Sequence, residues 1–391
     1  MYQINIISIS ILFLFILIIL ILGFVEIRLH LNSLKKIPIR IHVNGIRGKS
    51  SVVRLIAAGL RESGLKTFAK TTGTIPRIIN EKGNDVELHR LRTASIGEQI
   101  KLMRYFAKQT PDALVIECMA VNPQYQWISE HRIVRSTLGV ITNVRRDHLD
   151  EMGTTILDIA KSISNTIPFN SKIVSSQNKF VDLFKSIAAK RNSDIDVSDT
   201  SEIKKDYIDR FPYIEHPENI ALALKVCNNL GIDNKIALRG MLKTNPDPGV
   251  LFIWDILKNK NKNQFISAFA ANDPDSTIKV WNLIKNKSKN KKSIFLNTRN
   301  DRRYRTVQLI DLVYNVIKPD LFIIRGDNLN SIIKKYNNKD IKLKLFDMTS
   351  SQNEVVNYIT SLNGFFIMGI GNIVGWGDDF LKHLKEFQVN G

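Results

Sequence analysis

Hydrophobic and polar positions divide the chain into stretches of different period. Residues 4–25, INIISISILFLFILIILILGFV, carry no charge and no polar stripe, and they match the roughly 20 residues a helix needs to cross a bilayer. A helix apolar on every face is not the pattern of a soluble surface helix. Beyond residue 38, short β-branched runs at 39–43 (IRIHV), 113–118 (ALVIEC) and 137–144 (TLGVITNV) alternate with segments of helical period at 50–64 (SSVVRLIAAGLRESG) and 215–231 (EHPENIALALKVCNNLG). Apolar strands separated by helices predict a mostly parallel sheet covered on both faces. After the turn-rich KTNPDPGV (243–250), a second strand series begins at 265–271, 293–298, 319–326 and 364–371. The pattern predicts an α/β protein in three parts: a transmembrane anchor over 1–27, a first α/β domain over 28–245, and a smaller Rossmann-like α/β domain over 246–391.

Unusual polar residues follow the ends of these strands: Gly45 to Ser51, Glu117, Asp147 with His148, Asp273 with Asp275, Asp301 with Arg302, and Gly369 to Asn372. In open α/β sheets the carboxyl edge of the strands is where ligands bind.

Composition narrows the classes. The chain has 391 residues, 44% of them hydrophobic, and a net charge of +19. Two lysine-rich runs, LKNKNKNQ (257–264) and KNKSKNKK (285–292), read as solvated loops or helix ends. No aromatic residues interleave with their lysines, which argues against a nucleic-acid platform. Cys118 and Cys227 are too few for a disulfide framework and read as core residues of a protein in a reducing compartment. Arg28, Lys35, Lys36 and Arg40 follow the apolar segment, so the positive-inside rule puts the body in the cytoplasm.

The segment RIHVNGIRGKSSVVRL (40–55) holds the candidate chemistry. A standard phosphate loop, G-x-x-x-x-G-K-[ST], would need a glycine where Val43 stands; here the first glycine is Gly45. Gly45 and Gly48 allow a tight turn, Lys49 offers a cation to phosphate, and Ser50 offers a hydroxyl to Mg²⁺. The helix that follows points its N-terminus at the anion. Glu117 is a strand-end carboxylate of the kind that a hard cation takes, although such residues more often cap strands. His148 sits in NVRRDHLDEMG, where a loop histidine and a ligand are equally compatible with the residues.

The short G-x-x-G-K-[ST] loop, the strand-end glutamate and TNVRRDHLDEMG together resemble the Mur ligase superfamily of ATP-dependent amide-forming ligases. KTTGT (70–74), EHPENIALAL, ANDPDS and NTRNDRR extend the resemblance over most of residues 38–310. The short loop is that superfamily's form. With the apolar anchor, ECMAVNP (117–123) and MGIGNIVG (368–375), the chain resembles more narrowly the CapB/PgsB family of poly-γ-glutamate synthase subunits. The resemblance implies a P-loop, Mur-ligase-like first domain with ATP and Mg²⁺ as cofactors. It places Gly45, Arg47, Gly48, Lys49, Ser50, Ser51 and Thr72 at the phosphates and Asn219 at the adenine. It places Ser50, Glu117 and His148 at the metal, and Asp301 and Arg302 over the nucleotide or acyl phosphate, with Lys49, His148 and Arg302 as catalytic groups. His148 and Asp147 are the candidates to take a proton from the attacking amine. The carbamoylated lysine of Mur ligases has no counterpart in register, the nearest being Lys161.

The implied activity is polymerisation of glutamate through its γ-carboxyl group by a membrane-held cytoplasmic enzyme. The implied partners are glutamate, the growing polymer, small membrane subunits of the CapC/PgsC and CapA/PgsA kinds, and a second copy in a homo-oligomer. Other readings are a tethered P-loop ATPase or kinase, a non-catalytic scaffold, and a folylpolyglutamate-type ligase. The first would need a full phosphate loop, and the last is disfavoured by the anchor.

Overall fold

The computed structural model describes residues 6–389, apart from 74–75, 89–95, 177, 212, 214, 247–250, 252, 270, 272, 287, 300–302, 328, 330–332, 335 and 337–340. The chain forms two compact units. The first comprises residues 1–210 and 216–245; the second comprises 211–215 and 246–391, so a short piece of the stretch read as one domain groups with the second unit.

Helix α1 (Ile6–Lys35) is apolar and long enough over Ile9–Lys35 to cross a membrane, by length and composition. Its last turns join the first unit instead of ending at residue 27. Leu34 is buried, and the His30 ring bonds the carbonyl of Ile133 at 2.9 Å. Strand β1 (Ile39–Asn44) follows, then α2 (Lys49–Glu62), β2 (Thr67–Thr71), β3 (Arg77–Ile79), β4 (Asp85–Glu87), α3 (Gly97–Lys108), β5 (Ala113–Glu117) and α4 (Pro123–Ile128). Strands β6 (Leu138–Ile141), β7 (Lys172–Ser176) and β8 (Asp194–Ser198) complete a sheet of order β4-β3-β2-β5-β1-β6-β7-β8. All neighbours are parallel except β2–β3 and β3–β4.

The connection after β1 runs through α2 toward β2, and α2 packs with the helices Pro217–Asn229 and Asn234–Leu242. The connection after β6 runs the other way, through Ile156–Ile163 to β7, and that helix packs with α4. The chain therefore reverses direction between the adjacent strands β1 and β6. At such a switch point the loops after the strands splay apart and leave a crevice.

In the second unit, β9 (Ile253–Lys258), β10 (Asn261–Ser267), β11 (Lys291–Asn297), β12 (Leu321–Arg325), β13 (Lys342–Phe346) and β14 (Phe365–Gly371) form a sheet of order β13-β12-β11-β14-β10-β9. It is parallel apart from the β9–β10 hairpin. The run 257–264 lies in that hairpin, which corrects its reading as a loop or helix end. The run 285–292 instead follows the helix Pro274–Ile284 with Lys285 at its C-terminal cap, and only Lys291 and Lys292 enter a strand, at the start of β11. The alternation of Lys and Asn has the period of a strand, and Asn259 takes the left-handed turn conformation at φ 57. Asn263 is fully buried, and its side chain donates to Leu362 O at 2.5 Å and accepts from Phe365 N at 3.0 Å. Cys118 and Cys227 are buried and free.

Candidate active site

The site of the first unit is built on the ends of three adjacent strands. Register pairs Val43 of β1 with Glu117 of β5, and Asn44 of β1 with Ile141 of β6. The residues that follow each strand therefore emerge side by side. Gly45 and Gly48 both hold positive φ, at 132° and 77°. Space demands glycine as well. A β-carbon on Gly45 would stand 2.1 Å from Thr142 Oγ1, and one on Gly48 would stand 2.6 Å from Asn219 Oδ1. Gly48 caps α2, so the amides of Lys49, Ser50 and Ser51 form the first turn, where backbone N–H groups have no helical acceptor.

The loop is clamped from β6. Arg47 N donates to Asn143 Oδ1 at 3.1 Å, while Asn143 Nδ2 and Thr142 Oγ1 donate to Arg47 O at 2.8 and 2.7 Å. Ile46 N donates to Asn143 O at 3.2 Å. The Arg47 guanidinium pairs with Asp147 at 2.9 Å, and Arg145 reaches Glu218 at 3.5 Å. Lys49 Nζ donates to Gly45 O at 2.9 Å, which holds the ammonium over its own loop.

Ser50 Oγ donates to Glu117 Oε2 at 2.8 Å, and Thr72 N donates to the same oxygen at 2.7 Å. A hydroxyl and a carboxylate this close are the hard oxygen donors that Mg²⁺ takes, so the residues fit that ion. Among the described residues, no group of three or more His, Cys, Asp or Glu converges as a metal site. His148 stands in the left-handed conformation at φ 51, its ring 3.7 Å from Asp147 and half exposed. Burial, outweighing the pull of Asp147 and aided by Lys49 and Arg47, holds its pKa below the ordinary value. The ring is therefore neutral at neutral pH and able to accept a proton.

Residues 43–243 match the Mur ligase middle domain, and residues 253–387 match the poly-gamma-glutamate synthase CapB C-terminal domain. The chain is 36% identical over 375 residues to PGA synthase CapB of Bacillus subtilis (strain 168), covering 94% of this chain and 95% of that protein. The chain belongs to the CapB family. A second CapB relative, the capsule biosynthesis protein CapB of Bacillus anthracis, is 35% identical over 94% of this chain and 81% of its own length. Among solved structures, a bifunctional folylpolyglutamate synthase/dihydrofolate synthase with Mn, AMPPNP and L-glutamate bound superposes with a TM-score of 0.67. It shares 14% identity and covers 92% of this chain and 93% of that one, a likeness of fold.

The structure of this CapB-family chain brings Gly45, Arg47, Gly48, Lys49, Ser50, Ser51, Thr72, Glu117 and Asn219 to one edge, with His148 in the flanking loop. Asp301 and Arg302 lie outside the described residues. Lys161 is exposed on the helix Ile156–Ile163. In the second unit, β11 and β14 form a comparable switch point. Asn297 Nδ2 donates to Asn372 O at 2.7 Å there, beside a small crevice that includes Arg299 and Thr306. Sequence reasoning missed Thr142 and Asn143. They stand in the motif containing His148, but their role is visible only once β6 is known to lie beside β1.

Proposed function

We propose that this CapB-family chain is an ATP-dependent ligase that polymerises glutamate through its γ-carboxyl group by way of a γ-glutamyl phosphate. The observation that carries the reading is the joining of Ser50 and Glu117 beside a glycine loop at the switch point of the Mur-type sheet. A γ-carboxylate oxygen attacks the terminal phosphorus of ATP, and ADP leaves. The amine of a second glutamate unit then attacks the acyl carbon, loses a proton, and phosphate leaves.

Within this reading the first-turn amides and Lys49 bind phosphate oxygens and offset charge on the transferring group. Ser50 and Glu117 would hold Mg²⁺, and His148 would either join them as a ligand or stay off the ion as the base. When bound, that ion neutralises negative charge on the phosphates. Arg47 stays paired to Asp147 and braces the loop, with its backbone beside the phosphates. Asn219, set against Gly48, reaches toward the nucleotide. Asp301 and Arg302, in the segment after β11, act on the nucleotide or acyl phosphate. Neutral His148, with Asp147, is the candidate to take the amine proton. The bound Mn, AMPPNP and L-glutamate of the folylpolyglutamate synthase relative support a nucleotide and divalent cation in this fold.

The apolar α1 followed by Arg28, Lys35, Lys36 and Arg40 supports a single-pass membrane anchor with the body in the cytoplasm. Within this reading the chain works with CapC/PgsC- and CapA/PgsA-like membrane subunits and as a homo-oligomer, while the relatives' names support only a synthase of this polymer.

The test is ADP release by the full-length membrane protein co-expressed with those subunits, with and without glutamate, beside Lys49→Ala. Hydroxylamine would trap the acyl phosphate as a hydroxamate. Glutamate-dependent turnover that yields hydroxamate and is lost in Lys49→Ala is the expected result. Turnover indifferent to glutamate would replace the ligase reading with a P-loop ATPase.

A further inference from the structure

At the opposite edge of the first sheet from the phosphate loop lies a groove of about 600 Å³. It is lined by the starts of β1, β6 and β7 at Arg40, Thr137 and Lys172, together with Arg135 and Phe169. The groove and the loop are separated by the length of β1, about 20 Å for six residues. It is therefore a separate site from the one already described.

The charged side chains that line the groove are mostly cationic, with Asp194 beside Lys172 in strand register. Arg40 Nε donates to Val134 O and Arg135 O at 3.1 and 3.0 Å, and its Nη1 donates to Leu34 O and Ile37 O at 3.3 and 2.6 Å. All four acceptors are backbone carbonyls, which fix the guanidinium without cancelling its charge. Beside the groove, Arg191 is held in the same way by Ser164 O and Asn165 O, and it stacks over Phe169 at 5.3 Å. Burial pushes the pKa of both guanidiniums down, with Glu130 offsetting only part of it. Glu130 is the one carboxylate in the lining, and its oxygens are already taken: Oε2 by His42, Oε1 by Ser136 N and Oγ, at 2.7, 2.8 and 2.8 Å.

Two residues at the rim, Arg135 and Asn170, are held in the left-handed region at φ 47 and 50, and Arg135 ends a π-helical segment, Ser129–Val134. Strained backbone and π-helical turns concentrate where a protein places side chains for a ligand. Arg135 and Lys172 are exposed, and the exposed ring of Phe169 offers apolar surface between the charges.

We propose that this groove binds a segment of γ-linked polyglutamate, taking its free α-carboxylates on Arg40, Arg135 and Lys172 and its methylenes on Phe169. The proposal rests on the reading that the chain makes this polymer. A γ-linkage leaves one carboxylate on every residue, so the product is a regular line of single negative charges. The cations match it, because they come from separate elements set along neighbouring strands rather than around one point. A second anchorage on the product keeps the enzyme on a growing chain between additions.

The test is binding of a fluorescent, synthetic γ-linked oligoglutamate to the full-length protein in detergent, without ATP, followed by anisotropy. It reads the groove whether or not turnover depends on glutamate. Arg135→Asn with Lys172→Gln is the informative variant, since both side chains are exposed and Asn tolerates the left-handed conformation. About tenfold weaker binding is expected from the loss of two partly screened charge contacts. A control variant, Lys289→Gln with Lys291→Gln, removes equal charge from the second unit and is expected to bind as the parent does. Equal affinity in the groove variant would overturn the proposal, as would an equal loss in the control, which would trace binding to overall charge. Suppression of the parent's binding by short-chain phosphatidylglycerol but not by unlabelled oligoglutamate would overturn it too, and would assign the groove to lipid headgroups.

Discussion

Gly45 shows how little latitude the phosphate loop has. Its φ of 132° and the 2.1 Å approach to Thr142 Oγ1 make any side chain costly. Gly45→Ala is expected to lose about 1–3 kcal/mol of stability and to bind ADP at least tenfold more weakly. Chemical denaturation and an ADP titration would check both. Glu117 acts through its charge: Glu117→Gln keeps the size but removes the anion, and is expected to raise the Mg²⁺ concentration needed for half-maximal ADP release about tenfold or more. An unchanged Mg²⁺ dependence would remove Glu117 from the metal site.

Behind the loop, His42 and Glu130 form a fully buried pair at 2.7 Å. Burial opposes charge on both, but the neighbouring Cys118 and Glu130 outweigh it and raise His42 to about 10, while His42 and Ser136 lower Glu130. The folded state thus keeps a proton on His42 that the unfolded chain has released. This stabilisation is complete below pH 6.5 and fades as pH rises through about 10. Glu130 contributes in the other direction, above its ordinary 4.5, and its contribution is lost as pH falls through its lowered pKa. His42→Gln is expected to flatten the alkaline decline, read as denaturation midpoints between pH 6.5 and 10.

At the scale of elements, polar ties decide which pieces stay together. Arg54 on α2 is 2% exposed and meets Asp85 of β4 through both guanidinium nitrogens, at 2.8 and 2.7 Å. Asp85→Ala would strand a buried cation and is expected to cost about 3–5 kcal/mol. Pairing it with Arg54→Met should restore most of the loss. A double-mutant cycle in urea would show whether the tie stabilises or only specifies the edge of the sheet. Strand β9 and the first half of β10 carry no apolar run, and only the end of β10 at 265–267 falls in one, because the hairpin alternates Lys with Asn. The edge strand β4 and its neighbour β3, of three residues each, left no periodic signal.

For the whole molecule, the boundary of the apolar helix matters more than its length. Helix α1 continues past the lipid-compatible stretch and packs into the first unit through His30 and Leu34. Removing residues 1–25 is expected to give a soluble protein that keeps the parent's melting temperature and ADP binding. Removing residues 1–36 would also take Leu34 out of the core, a loss of about 2–3 kcal/mol in burial alone. Calorimetry on the two truncations would distinguish a tether from an integral element.

The order of apolar strands and amphipathic helices, the glycine loop and the carboxylate that ends β5 are all legible in the linear chain. Each of these is written in neighbouring residues through periodicity, turn chemistry or a compact motif. The sequence also carried the family, because the motifs keep their order along the chain. Tertiary structure alone decided that β6 lies beside β1, so that Asn143 clamps Arg47, and that β5 brings Glu117 to Ser50. It likewise decided that Arg40, Arg135 and Lys172 share a groove. Those pairings join residues about 30 to 130 positions apart through parallel strand register. Parallel neighbours are linked by crossovers rather than hairpins, and no local signal in the chain specifies which strand will lie next to which.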